Sequence, residues 1–272
     1  MKSYILTLFF CLCFARSYAQ LKVYDSKTRQ PIEYAKVYAQ KSKYLMYTDE
    51  KGGVKSKGLI LDDTLKVIAV GYESNRVLYA PDLKEILLDK KLHLDVQEEV
   101  IVRKNEVVKD GALESKEAML YDIKVLQAGQ YFAPRDIYKS HPYLDGFSVR
   151  IMSSKKGQVM NVSIRAVDEK GRPGEYIYDK NIICKVDEGH YVTYIDLKDK
   201  HIKLPAEGFF ICFSKVVQRK SDLKEWLYVS ASPGERDFGP EDSVFTMGAD
   251  DSRFQWIPYK GYTVSMQLEL SN

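Results

Sequence analysis

A zinc peptidase site needs a His-x-x-Glu or His-Glu-x-x-His pair facing one metal, with a third ligand further along the chain. The chain has four histidines, and three residues after His93, His141, His190 and His201 stand Val96, Leu144, Thr193 and Leu204, so none begins such a pair. A serine hydrolase elbow, Gly-x-Ser-x-Gly, is absent, as are Gly-x-Gly-x-x-Gly and the phosphate-binding loop of nucleotide enzymes. No catalytic residue, no metal and no cofactor is therefore expected. Carboxylates are clustered at Glu235, Asp237, Glu241 and Asp242 and again at Asp250 and Asp251. Glycoside hydrolysis asks only for two carboxylates about 5–10 Å apart, so such clusters select nothing by themselves. Calcium would take several oxygens from one loop, but the EF-hand spacing is missing and these loops are expected as solvated turns. The aromatic density of Phe254-Gln255-Trp256-Ile257-Pro258-Tyr259 is more specific. Phe254, Trp256 and Tyr259 on one face would stack on sugar rings, and the three form the expected binding rim.

The elements that must carry these residues are strands. From Leu21 onward short runs rich in Val, Ile and Tyr alternate with turn clusters: Leu21-Lys22-Val23-Tyr24, Ala35-Lys36-Val37-Tyr38-Ala39, Tyr44 to Thr48, Leu65 to Tyr72 and Glu85 to Leu88. Asp49-Glu50-Lys51-Gly52-Gly53 supplies the positive φ of a tight hairpin. About seven strands in so few residues is the density of a small β-sandwich. Arg103 to Glu117 is charged and lacks aromatics, which predicts a linker over 103–117. Longer β segments follow: Gly146 to Ile151, Met160 to Val167, Ile182 to Val186, His190 to Leu197, Gly208 to Val217, Trp226 to Ser230 and Tyr262 to Leu270. Tyr121 to Leu126 alternates as a strand as well. The expected class is all-β, an N-terminal Ig/transthyretin-like β-sandwich over 20–102 and a second β-sandwich over 118–272.

Val23-Tyr24-Asp25, Gln30-Pro31-Ile32, Ala35-Lys36-Val37, Thr48-Asp49-Glu50-Lys51-Gly52, Asp63-Thr64-Leu65 and Val70-Gly71-Tyr72-Glu73 occur in that order. This series resembles the carboxypeptidase-regulatory-like domain of Bacteroidota envelope proteins. Ser163-Ile164-Arg165-Ala166-Val167-Asp168, Gly171-Arg172-Pro173-Gly174-Glu175, Tyr194-Ile195-Asp196-Leu197 and Gly208-Phe209-Phe210-Ile211 are similar to the second domain that follows it in the same bacteria. The resemblance implies a jelly-roll-like sandwich for 118–272 and no site residues. Receptors that carry the first domain continue into a membrane barrel, which the remaining length cannot hold.

Residues 1–19 have the pattern of a secretory signal: Lys2, an apolar run from Tyr4 to Ala15, and Ser17-Tyr18-Ala19 before a cleavage between Ala19 and Gln20. The run is shorter than the roughly 20 apolar residues of a membrane span, and no other apolar run of that length follows, so no transmembrane segment is expected in the mature chain. Its destination would be the periplasm, the outer membrane surface or the medium. Lys and Arg number 41 against 38 Asp and Glu, and cleavage removes Lys2 and Arg16, so the mature chain is close to neutral and has no electrostatic case for nucleic acid. Cys184 and Cys212 remain in an oxidising compartment, free in the core or paired as a disulfide. The expected function is a non-enzymatic adaptor that docks on another envelope protein through a sheet edge. The alternative is glycan binding through the aromatic rim of the second sandwich.

Overall fold

The computed structural model describes residues 20–55, 58–91, 106–113, 119–123, 127–233, 243–247 and 256–272; within strands, a few side chains, Tyr259 among them, lie outside that description. Ala19 and the rest of the signal pattern, Phe254, and the acidic residues Glu235, Asp237, Glu241, Asp242, Asp250 and Asp251 fall outside the described residues. The protein is all-β, with several antiparallel sheets.

Seven strands form its first part: β1 (Leu21–Asp25), β2 (Lys36–Ala39), β3 (Tyr44–Tyr47), β4 (Gly53–Val54), β5 (Thr64–Ile68), β6 (Asn75–Leu78) and β7 (Glu85–Leu88). They make one sheet in the order β4-β1-β7 and another in the order β3-β2-β5-β6. Alternation places Leu21 and Val23 of β1, Leu65 and Val67 of β5, and Ile86 and Leu88 of β7 in one core between the two layers. The turn before β4 is built by Asp49, whose Oδ1 accepts the backbone N–H groups of Lys51 at 2.9 Å and Gly53 at 2.7 Å. Gly52 has φ +69°, and a Cβ there would stand 2.7 Å from the Val23 carbonyl oxygen, so both conformation and space demand glycine.

The second part contains β8 (Val107–Ala112), β9 (Met119–Asp122), β10 (Gln127–Phe132), the helix α1 (Asp136–Ser140), β11 (Tyr143–Ser153), β12 (Gln158–Val167), β13 (Pro173–Tyr176), β14 (Ile182–Val186), β15 (Gly189–Asp196) and β16 (Ile202–Lys203). It continues with β17 (Phe209–Lys215), β18 (Leu227–Pro233), β19 (Ser243–Met247), β20 (Trp256–Lys260), β21 (Tyr262–Val264) and β22 (Met266–Ser271). One sheet runs β13-β12-β17-β10-β19-β20, with β14 also on β12. The other runs β21-β18-β11-β22-β8, with β15 and β16 on β11 and β9 on β18. Their inner faces meet in a jelly-roll-like sandwich, where Phe213 of one layer sits edge-on to Phe147 of the other with ring centroids 6.0 Å apart.

The linker expected over 103–117 is corrected by the structure. Val107–Ala112 pairs antiparallel with Met266–Ser271 as an edge strand. Such a strand packs on one side only, and Val108 alone of its side chains reaches the core while Val107 is 51% exposed. A segment with one apolar anchor therefore suffices, and its charge disguised it. Asp110 takes hydrogen bonds from the Tyr138 hydroxyl at 2.6 Å and from Arg135, which ties this edge to α1.

The two parts touch along a seam. The backbone N–H of Tyr47 donates to the Val217 carbonyl at 2.7 Å, and Tyr38, Leu45 and Tyr47 pack with Val216 and Val217 in a buried cluster. Asn181 donates to the Glu33 carbonyl at 3.1 Å, Lys90 faces Asp179 at 3.6 Å, and Lys91 pairs with Glu175.

Candidate functional site

Beside that seam lies a cleft of about 590 Å³, walled by Lys36, Lys66 and Tyr72 of the first part and by Arg165, Tyr176 and Trp256 of the second. Its size falls in the range of roughly 300–1,000 Å³ typical of small-ligand sites. Register explains how Arg165 arrives there. On β12, Met160, Val162 and Ile164 point into the sandwich, so Arg165 points out. It stands opposite Tyr176, because the turn after β12 is held by Asp168, which accepts the N–H groups of Lys170 and Arg172 at 2.8 Å each. The guanidinium lies 3.9 Å from the centroid of the Tyr176 ring and 6.0 Å from that of Trp256, both cation–π distances. It donates to the Gly174 carbonyl at 2.8 Å and to the Tyr176 hydroxyl at 2.6 Å.

Trp256 opens β20 and is held against Phe210 and Cys212 on the outer face of the sheet. A Cβ at Gly129 would stand 2.8 Å from the Cys212 Sγ and 3.5 Å from the Trp256 ring, so the glycine makes room for this packing. Across the cleft Lys36 is 6% exposed. Burial, followed by the charges of Arg165 and Lys66, pulls its ammonium down to about 8. The wall is thus a set of mutually repelling cations interleaved with rings, an arrangement that receives negative charge.

Of the expected rim, Trp256 reaches the cleft. Tyr259 contributes backbone to β20 opposite Val244, and Phe254 falls outside the described residues. Arg165, Tyr176, Lys36 and Gln127 escaped sequence reasoning. The hairpin signal at Asp168 to Gly171 would have brought Arg165 and Tyr176 face to face had the β12–β13 register been worked out.

The disulfide alternative is corrected: Cys184 and Cys212 are both free. They lie on opposite faces of one sheet. Cys184 is opposite Met160 and packs against the core, whereas Cys212 is opposite Ser163, an odd number of residues on, and faces outward. Burial pushes the Cys212 thiol up to about 12 and raises that of Cys184 as well, so both stay protonated and inert. Alkylation of the protein denatured without reductant is expected to label both thiols fully, as judged by intact mass; one blocked pair would contradict the structure. Among the described residues no group of three His, Cys, Asp or Glu is placed to hold a metal ion, and no helix is long and apolar enough to cross a membrane.

The sequence matches no protein-family model and no curated protein. Among solved structures it is similar to the cysteine protease and lectin-like domains of Cwp84, a surface-layer-associated protein of Clostridium difficile, with a TM-score of 0.44 and 10% identity over 88% of this chain and 58% of that one. It is similar also to infectious bursal disease virus, Gx strain, with a TM-score of 0.26 and 10% identity over 87% of this chain and 52% of that one. The chain spans little more than half the length of these solved chains, and likenesses at this level say nothing of ligand or activity.

Proposed function

We propose that this chain is an exported, non-enzymatic envelope protein, a carboxypeptidase-regulatory-like domain followed by a jelly-roll-like one, that acts as an adaptor by lending a sheet edge to another envelope protein. The signal pattern of residues 1–19 and the ordered motifs of residues 20–102 support the export and the first domain. The observation that carries the adaptor role is β15. Eight residues long, it pairs with β11 along Gly189–Asp196 and with no other strand among the described residues. Its outward side chains His190, Val192, Tyr194 and Asp196 are exposed, Val192 by 41% and Tyr194 by 48%.

Edges of this length are usually blunted by lysine, proline or a bulge, and β15 has none of these. An incoming extended segment would pair with the free main-chain groups, with the exposed Val192 beside its side chains. The Tyr194 hydroxyl donates to Glu269 at 2.9 Å across Gly146, which lays the ring over β11. Crosslinking capture of the tagged mature protein in its native cells is expected to recover one envelope protein in near-stoichiometric amount. Val192→Lys, on an exposed position where a lysine blunts the edge, should abolish that capture without changing thermal unfolding. Equal recovery with the variant would remove β15 from the interface, and scattered background from the native protein would end the adaptor reading.

A further inference from the structure

The cleft beside the seam is separate from the β15 edge, since Arg165 stands on the outer face of one layer and β15 belongs to the other. Three buried polar atoms of its lining lack a hydrogen-bond partner among the described residues: the donors Nε of Arg165 and Nε of Arg172, the latter facing the Asp168 carboxylate at 3.4 Å, and the acceptor Oε1 of Gln127. Such atoms are costly to leave unpaired, and a site that carries both kinds suits a ligand that offers an acceptor and a donor.

Charge narrows the choice further. Two of the cleft's carboxylates are already engaged, Asp168 with Arg172 at 3.4 Å and Glu175 with Lys91, while Glu73 is the third. Among the described residues Arg165 has only neutral oxygens as hydrogen-bond partners, those of Gly174 and Tyr176. A guanidinium with free N–H groups matches a carboxylate better than an ammonium would. The Trp256 ring, its centroid 6.0 Å from the guanidinium, offers an apolar face on which a sugar ring stacks. Inorganic phosphate would leave that ring unused and set negative charge against the Gln127 oxygen. A sugar hydroxyl would donate to that oxygen instead.

From this we infer that the cleft binds an acidic glycan through a uronic acid residue, with the carboxylate on Arg165, a hydroxyl on Gln127 and the ring against Trp256. Lys36 and Lys66 add long-range attraction from the first part of the chain.

Isothermal titration of the mature chain with oligogalacturonate, a neutral maltooligosaccharide of the same length and polyglutamate tests the inference. Oligogalacturonate is expected to bind at least about tenfold more tightly than either of the others, and Arg165→Gln to remove about tenfold or more of that affinity. Because Arg165 also braces Gly174 and Tyr176, Lys66→Gln serves as the second variant. It should keep the native thermal unfolding, weaken oligogalacturonate several-fold and flatten the salt dependence. The inference is overturned if oligogalacturonate fails to bind at millimolar concentration, or if the neutral sugar binds as well. It is overturned equally if both folded variants bind unchanged. Polyglutamate binding as tightly as the sugar, with the same loss in Arg165→Gln, would mark an acidic peptide site instead. None of these outcomes bears on capture through β15.

Discussion

Phe213→Ala is expected to lower the stability of the second sandwich by about 3–5 kcal/mol, the range for removing a buried phenylalanine. The ring is fully buried on β17, the strand flanked by β10 and β12 in the middle of its sheet, and it meets Phe147 of β11 edge-to-face across the core. Every other side chain of β17 is buried too, so the strand has no freedom to slide and fill the space. Phe209, four residues earlier, is fixed in the same way, stacked on Phe132 at 4.9 Å and edge-on to Tyr138 at 5.1 Å. A urea titration followed by tryptophan fluorescence would show the loss as an earlier transition. An unchanged midpoint would mean that neighbouring side chains refill the site.

Lys215→Met is expected to cost about 2–4 kcal/mol and to loosen the segment that follows β17. Lys215 is 1% exposed, and its Nζ donates to the backbone carbonyls of Asp222 at 2.5 Å and Glu225 at 2.7 Å. Those carbonyls flank the end of a 3-10 helix at Lys220–Leu223, whose start is held by the Asp222 carboxylate accepting the N–H groups of Gln218 at 3.1 Å and Arg219 at 2.9 Å. Methionine fills the volume but offers no donor, so the carbonyls lose the charge that gathers them. The same segment leads out of the seam, where Gln218 donates to the Thr48 carbonyl at 3.4 Å. Trypsin should therefore cut the variant faster at Lys220 and Lys224, read by mass spectrometry under native conditions. Cleavage at the native rate would show that the surrounding packing alone holds the segment.

Much of the fold was legible because it is written in local patterns. Leu21 and Val23 alternate with Lys22 and Tyr24, and the structure buries the first pair and half-buries the second. Asp49 to Gly53 announces a turn by chemistry, and Gly52 adopts the positive φ that this chemistry permits. The segment from Gly208 to Val217 is apolar for longer than an alternating strand, which suits the interior strand β17, whereas Phe147, Val149 and Ile151 alternate with Ser148 and Arg150 and bury one face of β11. Val107–Ala112 failed because an edge strand needs so little apolar surface that composition cannot separate it from a linker.

The candidate site was legible only at Trp256, whose aromatic neighbourhood stands out in the chain. Arg165 and Tyr176 lie close in sequence, but only the register across their hairpin stacks one on the other. Lys36 is more than a hundred residues from Arg165 and sits in an ordinary mixed strand; its depressed protonation comes first from burial and then from the charges of Arg165 and Lys66, all of which depend on the folded chain. Strand period and turn chemistry are properties of a few consecutive residues, so the sequence by itself determined the β class, most of the turns and the absence of a metal or nucleophile motif. Sheet order, the free edge of β15, the opposite faces of the two cysteines and the cleft between the parts depend on contacts between distant segments, and only the tertiary structure decided them.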